Sequence, residues 1–212
     1  MGLFDDSEAQ NESYVLYGRK GAGSMAVQML LEELAVPYKM VWVDKEVGPD
    51  YLKICPTGKI PTLVLPDGSS LFESAAICLH LTNLHPDSKL APAPGTAAHA
   101  HYLQWMLFLA TAVYGSVLRI YYSQRYTTSD DAQGVNQAAL QEFEGHLALL
   151  ENQVSGTLQG GAISGADLYL SMLAGWHPDE EQGINAKFPK IAALCRQVAA
   201  RPAVARVLEM NQ

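Results

Sequence analysis

The sequence predicts a mixed α/β unit followed by an all-helical unit. Three observations predict it. Short β-runs alternate with helical patterns from Tyr14 to about Leu84, residues 85–96 are rich in proline, and no strand pattern survives beyond Ala97. The expected organisation is a polar extension over 1–13, an α/β unit over 14–85, a connector over 86–96 and a helical unit over 97–212.

Tyr14-Val-Leu-Tyr17 is a short apolar β-run. The glycine-rich, basic stretch 18–23 follows it. Ser24 then fits a helix N-cap ahead of MAVQMLLEELA, whose apolar positions recur at helical spacing until Pro37 ends them. Lys39–Val43 is a second β-run. Thr62–Leu65 and Ser70–Phe72 are two more, joined across Pro66-Asp-Gly-Ser69, a hairpin turn signal. Ser74 fits a second N-cap, heading AAICLHLTNLH, which Pro86 closes. The order is β-α-β, a short connecting element, then β-β-α. In the second half, helices are expected at about 97–124, 132–154, 165–175, 189–199 and 202–209. Ser164-Gly-Ala-Asp167 reads as a capping box with Asp in place of Glu.

Composition narrows the function classes. Hydrophobic residues make up 49% and charged residues 17%, enough apolar material for a packed core. The net charge of -8, without Lys/Arg clusters, argues against nucleic acid or an anionic membrane surface as a partner. The three cysteines, Cys55, Cys78 and Cys195, form no Cys-x-x-Cys and suit a reducing compartment; Cys78 and Cys195 lie in apolar helical patterns and read as core. The six histidines show no metal-ligand spacing, so no metal is expected. The acidic N-terminus lacks the layout of a signal peptide. The uncharged stretch from Leu90 to Leu118 reads as a buried helix, not a membrane span. A cytoplasmic protein is expected.

The stretch CPTGKIPTLVLPDGSSLFES, residues 55–74, carries the most specific signals. Pro61 stands at the mouth of a strand, where a backbone N–H is missing from any ladder, and Glu73-Ser74 stands at the start of a helix. GKIPTLV, LFES and the later ISGADLYL, in this order within β-α-β-ββα followed by helices, resemble the cytosolic glutathione transferases of bacterial type over nearly the whole chain past residue 13. The resemblance implies a thioredoxin-like first domain that binds glutathione as co-substrate. It implies a cis bond before Pro61, with the Ile60 backbone turned out to pair with the cysteine of glutathione as an added strand. It implies that the γ-glutamyl carboxylate sits at the first turn of the helix at Ser74 and that Glu73 pairs with the ligand's ammonium. Lys59, with Arg19 and Lys20 nearby, is the candidate for the glycyl carboxylate.

Glutathione attacks as a thiolate, and a free thiol is only a few per cent ionised at neutral pH. A hydrogen-bond donor is therefore expected in YGRKGAGS. Where many relatives carry a catalytic Ser or Cys, this chain has Gly21; the cysteine of the beta-class pattern GACS falls on Gly23. Two hydroxyls remain as candidates, Ser24 at the helix start and Tyr17 at the strand end, together with a backbone N–H of Gly23 or Ser24. Without that cysteine, chemistry through a mixed disulfide has no attachment point.

The electrophile pocket is expected along the first helix of the second unit, with Trp105, Tyr114 and Arg119 as its candidate residues. The resemblance implies a homodimeric enzyme that conjugates glutathione to small apolar electrophiles in detoxification, with a peroxidase side activity. Two alternatives stand beside it: a non-catalytic member that binds glutathione or a protein for regulation, and a specialised glutathione-dependent lyase or etherase.

Overall fold

The computed structural model describes residues 13–212; the expected extension over 1–13 lies, but for Ser13, outside the described residues. The first unit runs β1 (Tyr14–Gly18), α1 (Ser24–Leu34), β2 (Tyr38–Trp42), α2 (Pro49–Ile54), β3 (Thr62–Val64), β4 (Ser70–Phe72) and α3 (Ser74–Leu84). The four strands form one sheet in the order β2-β1-β3-β4. β1 and β2 are parallel, as the intervening helical crossover requires, and the other pairs are antiparallel. This is the thioredoxin-like arrangement expected.

Alternation along β1 sorts its side chains. Tyr14 and Leu16 face α1 and α3, where Leu16, Leu30, Leu63, Ile77 and Leu81 form a solvent-free core. Tyr17 points to the other face, where its ring lies 5.6 Å from that of Tyr51 in α2. The β3–β4 hairpin turns at Pro66–Ser69: Leu65 N–H donates to Ser69 O, and Gly68 takes a φ of 83°, which its missing Cβ permits.

The second unit is helical: α4 (Ala97–Phe108), α5 (Tyr114–Tyr121), α6 (Ala132–Gln153), α7 (Gly165–Ala174), α8 (Pro189–Ala199) and α9 (Pro202–Met210). The sequence predicts one unbroken helix over 97–124. The structure instead places a π-helical segment, Leu109–Val113, between α4 and α5, and a 3₁₀ turn at Ser123–Arg125. The wider turn interrupts the α-helical bonding over one turn, while the inward face of the helix continues across it. The stretch Ala97–Tyr121 is long and apolar enough to cross a bilayer by composition; here its Tyr102, Met106, Leu109, Val113 and Val117 form a buried stripe.

α7 runs through the centre of the molecule, and its start bears out the expected capping box. Asp167 accepts from Ser164 N–H (2.8 Å) and Ser164 Oγ (2.6 Å), and its other oxygen accepts from Leu158 N–H (2.7 Å). α9 fastens the helical unit to α1. Arg201 forks onto Glu33, and Arg206 reaches Glu32. Cys78 is buried as expected, and Cys195 packs half-buried against the core.

Candidate functional site

Three pieces of chain meet beside the open end of the sheet. The first is the β1–α1 loop. Ser24 is not the cap of α1 but its first helical residue; the cap position is Gly23, which has no side chain to bond with. The Ser24 hydroxyl is wholly buried. It donates to Arg19 O (3.0 Å) and accepts from Arg19 N–H (3.1 Å). Gly18 makes this clip possible, since a Cβ there would stand 2.5 Å from Ser24 Oγ. The Arg19 guanidinium is itself held by the carbonyls of Val43 and Asp44. Gly21 N–H donates to Asn211 Oδ1 (3.2 Å), and Asn211 Nδ2 donates to the buried Gln28 of α1 (2.8 Å).

The second piece is the loop before β3. Here the Ile60–Pro61 bond is cis. Tyr51 Oη donates to Lys59 O (2.6 Å) and meets Thr62 Oγ1 (3.0 Å), and Cys55 Sγ also lies 3.4 Å from Lys59 O. This network holds the loop one residue short of Ile60. Among the described residues, neither the N–H nor the C=O of Ile60 has a partner. An edge of this kind is a template for an added strand.

The third piece is the start of α3. Its cap is Glu73, not Ser74, and the Glu73 side chain makes no capping bond. Glu73 has φ 72°, a left-handed value uncommon for a residue with a Cβ, and its carboxylate is exposed. Ser74 is buried, with its Oγ 2.7 Å from Tyr169 Oη of α7. The helical bonds of α3 begin at Ile77 N–H to Glu73 O, which leaves the N–H groups of residues 74–76 open at the helix's positive end.

Tyr114, the first residue of α5, stands against the first of these pieces. A Cβ built on Gly23 would stand 2.5 Å from Tyr114 Oη, so the phenol occupies the space a side chain at 23 would need. Burial pushes the Tyr114 hydroxyl up to about 12; Tyr122 and the Glu73 carboxylate act in the same direction, and the Gly23 backbone N–H acts against them. The phenol is thus a neutral donor at neutral pH, within electrostatic reach of both helix starts. Its ring lies 5.4 Å from that of Trp176, whose carbonyl accepts from Tyr121 Oη (2.8 Å).

Comparison with known proteins agrees with this geometry. Residues 24–84 match the family described as glutathione S-transferase, N-terminal domain, and residues 97–202 match glutathione S-transferase, C-terminal domain. The chain belongs to the glutathione S-transferase family. It is similar to glutathione S-transferase GstA of Escherichia coli O157:H7, at 26% identity over 89% of this chain and 94% of that one. The solved structure of a sphingomonad glutathione S-transferase complexed with glutathione superposes with a TM-score of 0.81 at 31% identity, over 93% of this chain and 98% of that one. The nitrogen regulation fragment of the yeast prion protein Ure2p superposes with a TM-score of 0.84 over 96% of this chain and 99% of that one; at 20% identity that likeness concerns the fold alone.

Within this glutathione S-transferase fold, the residues singled out from sequence divide sharply. Lys59, Ile60, Pro61, Glu73 and Ser74 lie on the two pieces just described, with the Lys59 side chain exposed. Tyr114 lies against Gly23. Trp105 and Arg119 do not join it. Trp105 opens on a separate cavity of about 1050 Å³ between the connector, the start of α4 and the end of α6, which Leu149 and Gln153 also line and which none of Gly23, Ile60, Glu73 or Tyr114 reaches. Arg119 pairs with Glu142 of α6, which also accepts from Ser116 Oγ (3.0 Å), so it belongs to the α5–α6 contact. Tyr17 lies tilted against Tyr51, and the Ser24 proton is committed to Arg19. Among the described residues, no group of three or more His, Cys, Asp or Glu could hold a metal ion. Sequence reasoning missed Tyr51, Tyr169 and Trp176. Tyr169 stood inside the quoted ISGADLYL, where its hydroxyl was the available signal; the other two are reached only through the folded chain.

Proposed function

We propose that the protein is a glutathione transferase that conjugates reduced glutathione to small apolar electrophiles. The observation that carries this reading is the unpartnered backbone pair of Ile60 beside the open first turn of α3 and the exposed Glu73 carboxylate. The cysteinyl backbone of glutathione pairs with Ile60 N–H and C=O as an added strand. The γ-glutamyl carboxylate sits on the free N–H groups at Ser74, its ammonium pairs with Glu73, and Lys59 meets the glycyl carboxylate. The sulfur, as thiolate, then forms a bond to the electrophilic carbon, and the leaving group departs with its electron pair, or an addition product takes up a proton from water. Reduction of a peroxide at the same sulfur is the side activity this site would support. On the same reading the protein is a cytoplasmic homodimer acting in detoxification.

A second reading has one observation in its favour. Gly23 offers no side-chain nucleophile or donor, as suits a member that binds glutathione or a protein for regulation without turnover. Calorimetric titration with reduced glutathione separates the possibilities when followed by an electrophile screen. Binding in the micromolar-to-millimolar range by the parent, lost in Glu73→Ala/Ser74→Ala, is the expected result, and product formation with a halogenated aromatic follows. A folded parent that does not bind glutathione sinks the transferase reading. Binding without turnover of any electrophile favours the regulatory one.

A further inference from the structure

The unsolved element of the site is the group that holds the sulfur as an anion. Ser24 gives its proton to Arg19 O, and Tyr17 lies on the α2 face of the sheet. The position that would carry a cysteine in the pattern GACS is Gly23, and its backbone needs no glycine. Gly23 has φ -58° and ψ -12°, ordinary right-handed helical values that any L-residue adopts. What position 23 needs is room. The nearest atom to a Cβ there would be Tyr114 Oη, at 2.5 Å, followed by Cε1 and Cζ of the same ring at 3.2 and 3.3 Å. The side chain missing at 23 has been replaced in space by a phenol from the second unit.

We propose that Tyr114 is the catalytic hydrogen-bond donor to the glutathione sulfur, its hydroxyl standing where the cysteine of related proteins would place its own side chain. This rests on the transferase reading above. The Tyr114 oxygen faces the Gly23 N–H, and among the described residues no acceptor takes its proton, so the O–H is free to point at a ligand. Tyr114 also lies within electrostatic range of the Glu73 carboxylate at the start of α3. Its own burial keeps it a phenol across the working pH range. It therefore acts by hydrogen bonding, not as a base. The thiol proton leaves to water, the phenol O–H donates to the sulfur anion, and that bond weakens as the sulfur's charge passes into the new carbon–sulfur bond. The π-helical segment Leu109–Val113 immediately precedes this residue, and such wide turns recur where a helix must re-aim a functional side chain.

The test is the ionisation of bound glutathione, followed by thiolate ultraviolet absorbance against pH, in the parent, Tyr114→Phe and Gly23→Ala. Loss of one charge-assisted hydrogen bond should raise the bound thiol's pKa by about 1 to 2 and lower kcat about 10- to 100-fold, with little change in glutathione affinity. Gly23→Ala leaves Tyr114 in place but pushes its hydroxyl aside, so it should raise the same pKa, and the double variant should be no worse than Tyr114→Phe alone. Gly23→Ala also reads the proposal if Tyr114→Phe does not fold. A parent that binds glutathione while both variants keep its thiol pKa and turnover overturns the assignment and leaves the transferase reading standing. A parent that binds no glutathione defeats that reading first.

Discussion

The starts of α1 and α3 are built alike and differ where it matters. Each helix opens with a buried serine, Ser24 or Ser74, directly after a cap position whose side chain makes no capping bond. Each is met by a tyrosine of the second unit: Tyr114 at Gly23 and Tyr169 at Ser74. At α3 the cap keeps a full side chain in a backbone conformation that disfavours one, since Glu73 has φ 72°. At α1 the cap has a relaxed backbone and no side chain at all. The strained position carries a carboxylate, and the relaxed glycine leaves space that a side chain would fill. On the proposed reading, the start of α3 contributes a carboxylate to a ligand. The start of α1 yields its place to a group from elsewhere.

The sharpest way to break this contrast is Glu73→Gly. Glycine relieves the left-handed conformation, so the fold should gain about 1 kcal/mol while glutathione binding weakens about 10- to 100-fold through loss of a charged partner. Calorimetry and chemical denaturation on the same sample read both numbers. Unchanged affinity would mean that Glu73 is not held for its carboxylate. Tyr169→Phe tests whether the second-unit tyrosine at α3 is a support and not a donor to ligand. It should cost about 1 to 2 kcal/mol in denaturation, because Ser74 loses its buried partner, with a smaller loss of affinity. A large affinity loss at full stability would make Tyr169 a ligand contact. Ser24→Ala probes the matching serine at α1. Removing its clip to Arg19 should cost about 1 kcal/mol of stability and leave the bound thiol's pKa where it was. A raised pKa there would return Ser24 to the role that the sequence reading offers it.

Legibility followed distance along the chain. GKIPTLV and LFES sit within one short stretch, and the roles proposed for them depend on backbone direction and on a helix start, both of which local sequence dictates. The capping box at Ser164–Asp167 was readable for the same reason. The caps expected at Ser24 and Ser74 lie one position earlier, because the Ser24 hydroxyl bonds the Arg19 backbone within its own loop and the Ser74 hydroxyl meets Tyr169 of the second unit. The second-unit residues were hardest. Trp105, Tyr114 and Arg119 look alike as polar-aromatic positions on one predicted helix. Trp105 opens on the cavity beside the connector, and Arg119 is taken by Glu142 of α6. No spacing rule anticipates an inserted turn, and none connects Tyr114 with Gly23.

The 2.5 Å between Tyr114 Oη and the vacant Cβ position of Gly23 also constrains how this lineage can change. A cysteine or serine can enter at 23 only by displacing the phenol, and on the proposed assignment truncating the phenol first leaves the sulfur without either group. Any passage between the two arrangements must cross a stage that is crowded or a stage that is idle. The direction of least harm begins with the smaller residue at 114, which makes the order of substitutions as much a property of this site as its shape.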